Sequence, residues 1–442
     1  MPTPPTLLIT NGRVIDPASG RDETADVAIA DGRIAEIGPR LTRSPAERVI
    51  DAAGRIVCPG LIDPHVHLRE PGQEHKETVA SGSRAAVAGG FTTVCCMPNT
   101  RPAIDSPEVV RYVLDRAARA ACRVFPVAAA TKGREGAEPT EFRLLAQAGA
   151  VGFSDDGDGI ASAGVMLRVM REVAPLGLAF MQHCQDATLT RGAAMHAGEV
   201  SIRLGLVGWP RVAEEVMIER DVRLVRESGC RYHVQHISSG GSVEIVRKAR
   251  AAGLPVSAEA SPHHLLLTHE ACDGYDTAAK MNPPLRERRD MDAIIEGVAD
   301  GTITVLATDH APHTPDEKNA PFDDAPFGII GLETALPLYA EALVESGAID
   351  WARLIALMTI EPAKLCNLDR AHRHNDGLGE LFERGPADIT IIDPDVEWTI
   401  QESDLAGMCV NTPFLGRTVR GRAVSTIVAG ELRHEIVSAR VV

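Results

Sequence analysis

Nowhere does the chain contain the roughly 20 consecutive apolar residues needed to span a bilayer. A helical membrane protein is therefore excluded. The opening stretch, MPTPPTLLITNGRVID, lacks the basic start, apolar core and small-residue cleavage site of a secretion signal, so the sequence predicts a soluble cytoplasmic protein. Basic residues are in short supply: 45 Lys and Arg stand against 61 Asp and Glu, a formal net charge of −16. Such a balance repels phosphate backbones and anionic headgroups, which speaks against a nucleic-acid or membrane partner while leaving room for a local basic pocket. The nine cysteines, at 58, 95, 96, 122, 184, 230, 272, 366 and 409, include no C-x-x-C pair. Odd in number and scattered, they read as buried thiols of a reducing compartment. Also missing are the GxxxxGK[ST] phosphate loop, the HExxH helix, the GxSxG elbow and a cysteine-protease signature. Nucleotide hydrolysis on a P-loop and the common serine, cysteine and zinc protease designs are set aside.

What is present is an ordinary globular composition, 44% hydrophobic and 24% charged over 442 residues. That length suits about three domains, or one large α/β barrel with an appendage. Residues 6–58 alternate apolar and polar positions between the turn signals Asn11-Gly12, Asp31-Gly32 and Gly54, the pattern of short antiparallel strands. The same texture returns in ADITIIDPDVEWTI and TVRGRAVSTIVAGELRH near the other end. Residues 1–58 and 376–442 are therefore expected to form one small β domain, a β-sandwich, from both termini. Between them, 59–375 repeats a short apolar run followed by a helical stretch. Candidate strands fall at 56–62, 91–97, 123–130, 150–154, 178–183, 232–237, 255–260 and 303–308, with helices over 106–120, 138–148, 211–228, 240–252 and 287–300. Eight strands with helical crossovers predict an α/β fold, a (β/α)₈ TIM-like barrel, whose chemistry collects at the C-terminal strand ends.

Those ends carry polar and ionisable residues: His65 and His67, Asn99, Asp155-Asp156, His183, His236 and Asp309. His65 and His67, two residues apart on a strand, face the same side and can share an ion. His372-Arg373-His374 has the same spacing but sits in a polar Asn/Asp/Gly-rich stretch, and reads as a solvated loop. Four imidazoles with Asp309 and a carboxylate from Asp155 or Asp156 suit Zn²⁺ or another borderline divalent ion. A bridging carboxylate could join two ions about 3.5–4 Å apart, and bound water would acidify from 15.7 toward about 7. The set points to metal-assisted hydrolysis. The glycines of FSDDGDGI and ISSGGS read as loop residues rather than a dinucleotide fingerprint, and Met97 and Met281 as packing.

The ordered series GLIDPHVHLREPGQEHKE, GGFTTVCCMPNT, FSDDG, QHIS, SPHHLLLT, KMNPPLR, ATDHAPHTPDEK and PFGIIGLETALPL resembles the dihydroorotases of the cyclic amidohydrolase superfamily, most closely the bacterial class I type. The resemblance runs from about residue 6 to residue 436. It implies a distorted (β/α)₈ barrel beside a small β domain, with His65, His67 and Asp309 serving the more buried metal and His183 and His236 the second. Many relatives, hydantoinases among them, bridge their metals with a carboxylated lysine at the end of strand 4. Here that place reads Phe153-Ser154-Asp155-Asp156, and the only lysine between 123 and 182 is Lys132. Class I members use an aspartate of the DDG motif, which favours Asp156, leaving Asp155 behind it. One or two Zn²⁺ ions are expected, two favoured, bridged by Asp156.

The implied activity is the reversible cyclisation of N-carbamoyl-L-aspartate to dihydroorotate in pyrimidine biosynthesis, with metal-bound hydroxide as nucleophile and Asp309 as proton shuttle. Arg69 can offer a fork of N–H donors to the substrate carboxylate. The resemblance adds Asn99 and His313 to that carboxylate site and Asn282 near the ring. The Pro-rich stretch 311–328 is expected to act as a lid. The alternatives are a hydantoinase or allantoinase type of cyclic amidase, and a non-catalytic subunit supporting aspartate carbamoyltransferase. The family also implies a homo-oligomer or association with that transcarbamoylase.

Overall fold

A computed structural model describes residues 6–41 and 46–436. Its centre is a ring of parallel strands: β1 Leu61–Val66, β2 Phe91–Cys96, β3 Arg123–Pro126 continued by Ala128–Ala129, β4 Gly152–Ser154, β5 Ala179–Gln182, β6 Arg231–Val234, β7 Val256–Ala260 and β8 Val305–Leu306. Each pairs with the next in sequence. The circle closes through a parallel bridge between Val66 and His310, where His67 N donates to His310 O at 2.9 Å. Asp63 reinforces the closure: it accepts from His65 N at 3.1 Å and from Thr308 Oγ1 at 2.6 Å, tying β1 to the end of β8. Strands buried on both faces need continuous apolar runs, and β1, β2 and β5 are buried at every position.

Helices cover the ring, including Pro107–Ala117, Phe142–Ala148, Val212–Ser228, Gly240–Ala251 and Arg288–Ala299, close to the segments expected from apolar spacing. Phe91, Phe153, Phe180 and Tyr232 anchor the large core between strands and helices.

Strands from both chain ends join in one hydrogen-bonded sheet. Leu7–Asp16, Arg21–Ala30, Arg33–Gly38, Arg48–Asp51 and Ile56–Pro59 connect to Ile389–Thr399, Thr418–Val428 and Glu431–Glu435. The two ends join through the antiparallel pairing of Ile56–Pro59 with Ile389–Ile392 and a further antiparallel bridge between Arg33 and Pro386. The sheet has its own core, with Ile9, Val27, Ile34, Val57, Ile389 and Ile391.

The expected strand 56–62 is thus two strands, one in each sheet. Gly60 separates them: its N–H donates to Asp388 O at 2.9 Å, and a Cβ there would collide with the Thr92 side chain. Apolar continuity through Gly60 hides the change of partner. All nine cysteines are buried and free of disulfides. Among the described residues no helix is long and apolar enough to cross a membrane.

Candidate metal centre

Short polar segments follow the barrel strands and turn their side chains over one end of the ring. His65, His67, Asp156, His183, His236 and Asp309 converge there, none more than 5% exposed. Asp156 lies at the centre. Its Oδ1 is 3.4 Å from His65 Nε2, 3.5 Å from His236 Nε2 and 3.7 Å from His183 Nδ1, while Oδ2 is 3.5 Å from His67 Nε2. Asp309 Oδ1 lies 3.0 Å from His67 Nε2 and 3.4 Å from His65 Nε2.

His65 Nε2 and Asp156 Oδ1 are buried without a hydrogen-bond partner. Orphaned buried polar atoms are costly unless something satisfies them. Ligands bound about 2.1 Å from a tetrahedral ion are themselves about 3.4 Å apart. The spacings around Asp156 and Asp309 match that figure, and the donor set is one that a divalent ion accepts. Two groups have ligand atoms mutually within 4.8 Å: His65 with His67 and Asp309, and His65 with Asp156 and His236. His183 joins through Nδ1, which lies 2.9 Å from His236 Nε2.

Electrostatics point the same way. Burial disfavours a proton on His65, yet the carboxylates of Asp156, Glu259 and Asp309 outweigh it and raise the imidazole pKa. Burial likewise opposes charge on Asp156, but the surrounding imidazoles hold its carboxyl well below the usual range. The cluster demands positive charge at its centre.

Asp155 does different work. Its Oδ1 accepts from Ala130 N and Thr131 N, both at 2.9 Å, and its Oδ2 accepts from Thr131 Oγ1. It ties the end of β3 to the end of β4. Lys132 is half exposed and paired with Glu138, far in character from a buried bridge.

The centre opens into a cavity of about 310 Å³, whose wall includes Arg69, Asn99, Gly157, Met281, Asn282, His313 and Phe327. Arg69 Nε donates to Pro312 O at 3.3 Å and its Nη2 lies 3.3 Å from His313 Nε2. Burial lowers the Arg69 pKa to about 10, leaving the guanidinium charged at neutral pH. Burial first, and the charges of Arg69 and Lys76 next, keep His313 neutral. Asn99 Oδ1 accepts from His67 Nδ1 at 2.8 Å, so this side chain, expected at the substrate carboxylate, fixes the orientation of the His67 ring. Asn282 Nδ2 donates to Gln185 Oε1 at 3.2 Å, and its own Oδ1 is unpartnered. Met281, expected as packing, is part of the wall. Arg69, His236 and Asp309 have φ of 61°, 31° and 51°, a left-handed conformation that costs non-glycine residues energy and clusters at functional sites. His372 and His374 are exposed outside the barrel.

Glu259 and Gln185 escaped the sequence reading. Glu259 Oε1 is 2.5 Å from His65 Nδ1, and Gln185 Oε1 is 3.0 Å from His183 Nε2. A Glu inside the apolar run VSAEA was the available signal; Gln185 offered none.

Residues 54–242 match the family model described as dihydro-orotase-like. The dihydroorotase of Solibacter usitatus is 49% identical over 428 residues, covering 97% of each chain. That of Pelotomaculum thermopropionicum is 46% identical over 426 residues, 96% of this chain and 98% of its own. The chain belongs to the dihydroorotase family. Among solved structures, the L-hydantoinase of Arthrobacter aurescens superposes with a TM-score of 0.87 at 26% identity, over 98% of this chain and 96% of its own. A D-hydantoinase from Thermus sp. gives 0.81 at 26% identity, over 97% and 95%. This member of the dihydroorotase family thus has the metal-dependent amidohydrolase barrel that hydantoinases also use.

Proposed function

We propose that the chain catalyses the reversible cyclisation of N-carbamoyl-L-aspartate to dihydroorotate, with two Zn²⁺ ions bridged by Asp156. The observation that carries this reading is one cavity whose floor is the Asp156-centred ligand cluster and whose wall holds the buried Arg69 guanidinium. His65, His67 and Asp309 would hold one ion and His183 and His236 the other, with Asp156 between them. A divalent ion supplies Lewis acidity to a carbonyl and acidifies water when bound there.

The chain's own groups do the rest. Arg69, with Asn99 and His313, holds the substrate carboxylate, and Asn282 reaches the ring with its unpartnered oxygen. Met281 and Phe327 supply apolar surface that limits water around the reacting carbonyl. In ring opening, water adds to the cyclic amide carbonyl, the C–N bond breaks, and Asp309 carries the proton to the departing nitrogen. In closure, that nitrogen attacks the side-chain carboxyl carbon and a water molecule leaves, with Asp309 carrying the proton back. A ligand position 3.0 Å from His67 and open to the cavity suits a group with both duties.

The same reading divides the chain at 1–58, 59–375 and 376–442, with the terminal sheet folded as a β-sandwich around its separate core. Self-association or a complex with aspartate carbamoyltransferase belongs to it too. Exposed Ile202, Val207, Val212 and Val216 provide apolar surface for such contacts, and sedimentation with and without the transcarbamoylase separates the two.

The deciding experiment compares dihydroorotate, hydantoin and allantoin hydrolysis by metal-quantified wild type. Turnover of dihydroorotate with little of the other two is expected. Hydantoin cleavage without dihydroorotate cleavage would overturn the substrate, since the hydantoinase barrel is so similar.

A further inference from the structure

Glu259 lies in β7, fully buried and outside the cavity wall. The register of β6 and β7 sets His233 opposite Ser257 and Val234 opposite Ala258, which brings Glu259 beside His233 and the start of the segment carrying His236. Its Oε2 is 2.9 Å from His233 Nε2, and His233 Nδ1 is 2.8 Å from Ser257 Oγ. Its Oε1 has two partners from opposite sides of the centre: His65 Nδ1 at 2.5 Å and the backbone N of His236 at 3.2 Å.

An ionised carboxylate accepts only. His65 Nδ1 must therefore carry the hydrogen it shares with Glu259, which leaves the Nε2 lone pair aimed at Asp156 and Asp309. The Gln235 amide nitrogen also approaches His65 Nδ1, at 3.2 Å, but it is a donor, is farther away, and has Met97 Sδ at 3.4 Å as another acceptor. The shorter, charge-assisted contact decides the tautomer. At His236 the same carboxylate holds the N–H of a residue with φ of 31°, a strained backbone that needs fixing from outside.

We propose that Glu259 is a positioning residue for the metal centre, its Oε1 presenting His65 Nε2 to one ion and clamping the backbone that presents His236 to the other. It touches neither substrate nor ion. Because one oxygen serves a ligand from each group, loss of Glu259 weakens metal binding on both sides of Asp156. Carboxylates placed behind ligand histidines typically contribute 10–100-fold in metal affinity.

The test is zinc competition against a chromogenic chelator on the full chain, for wild type, Glu259→Gln and Glu259→Met, with thermal melting of the metal-stripped proteins alongside. Glu259→Gln can keep the network: its carbonyl accepts from His65, its amide donates to His233 Nε2, and the His233 proton shifts to Ser257. About 10-fold weaker zinc binding at both equivalents is expected in Glu259→Gln, and about 100-fold in Glu259→Met, with the metal-stripped Glu259→Gln melting like wild type. Zinc affinity of Glu259→Gln within twofold of wild type overturns the proposal. So does a metal-stripped Glu259→Gln that melts far below wild type, since the residue would then serve folding alone. If Glu259→Met does not fold, the Gln variant decides. The proposal rests on the metal reading of the site, and wild type that retains no zinc would defeat both; binding by wild type and Glu259→Gln alike defeats only the role of Glu259.

Discussion

Asp155 and Asp156 are adjacent and almost equally buried, 1% and 2% exposed, yet their oxygens meet opposite surroundings. Asp155 is satisfied by two backbone N–H groups and a hydroxyl; Asp156 faces four imidazoles. Asp155→Ala should cost roughly 2–4 kcal/mol of stability by stranding those donors while zinc content survives, as urea denaturation and metal analysis would register. Asp156→Ala should lose stoichiometric zinc and more than about 100-fold in turnover; full activity and metal content there would remove Asp156 as the bridge. Arg69 permits a separate prediction. Arg69→Met should lower kcat/KM for dihydroorotate by about 100-fold, roughly 2.7 kcal/mol, with zinc content unchanged. Steady-state kinetics beside metal analysis would check it, and an unaltered kcat/KM would take Arg69 off the substrate carboxylate. The six proposed ligands were legible as His and Asp at strand ends. Glu259 was not, because a lone Glu in a strand is usually a solvent-facing residue, and only the barrel's closure turns it inward.

At the scale of elements, the stretch 311–328 expected as a lid is held by two buried lysines, Lys318 folding it onto itself and Lys280 tying it to the preceding loop. Lys318 Nζ donates to Pro326 O at 3.0 Å and Gly328 O at 3.1 Å, and Lys280 Nζ donates to Asp323 O at 3.1 Å while lying 4.6 Å from the Phe327 ring. These contacts fix the part of the segment that lines the cavity. Burial, and then the charge of Lys280, lower the Lys318 pKa from 10.5 to about 7; Asp276, Cys272 and Glu317 oppose this weakly. Between about pH 7 and 10.5 the unfolded chain holds this proton and the folded chain has released it, so stability rises with pH across that window. Urea denaturation at pH 7.5 and 9.5 should show a larger gain for wild type than for Lys318→Met; equal gains would mean that Lys318 keeps an ordinary pKa. Pro content marked this segment, whereas periodicity located seven of the eight barrel strands well, because burial on both faces leaves continuous apolar runs. It failed at 56–62, where both halves of the run are equally apolar and only hydrogen-bond partners differ.

For the whole molecule, Gly60 is where the chain passes from the terminal sheet to the ring. Gly60→Ala forces a side chain against Thr92 and should cost about 1–3 kcal/mol, measured by chemical denaturation, with zinc affinity little changed; a variant as stable as wild type would show that the junction can yield. Arg123 adds a charged tie between the two parts, its Nε 2.6 Å from Asp388 Oδ2.

By itself the sequence determined the alternation of strands and helices, the polar residues placed at strand ends, and the absence of membrane, nucleotide and protease signatures. Each is a local property, written in periodicity, spacing or composition. Only the tertiary structure decided which of two adjacent aspartates faces the imidazoles, that Asn99 orients His67, and that Glu259 stands behind His65. These depend on which strands become neighbours when the ring closes between Val66 and His310, a contact between residues 244 positions apart that no local pattern encodes.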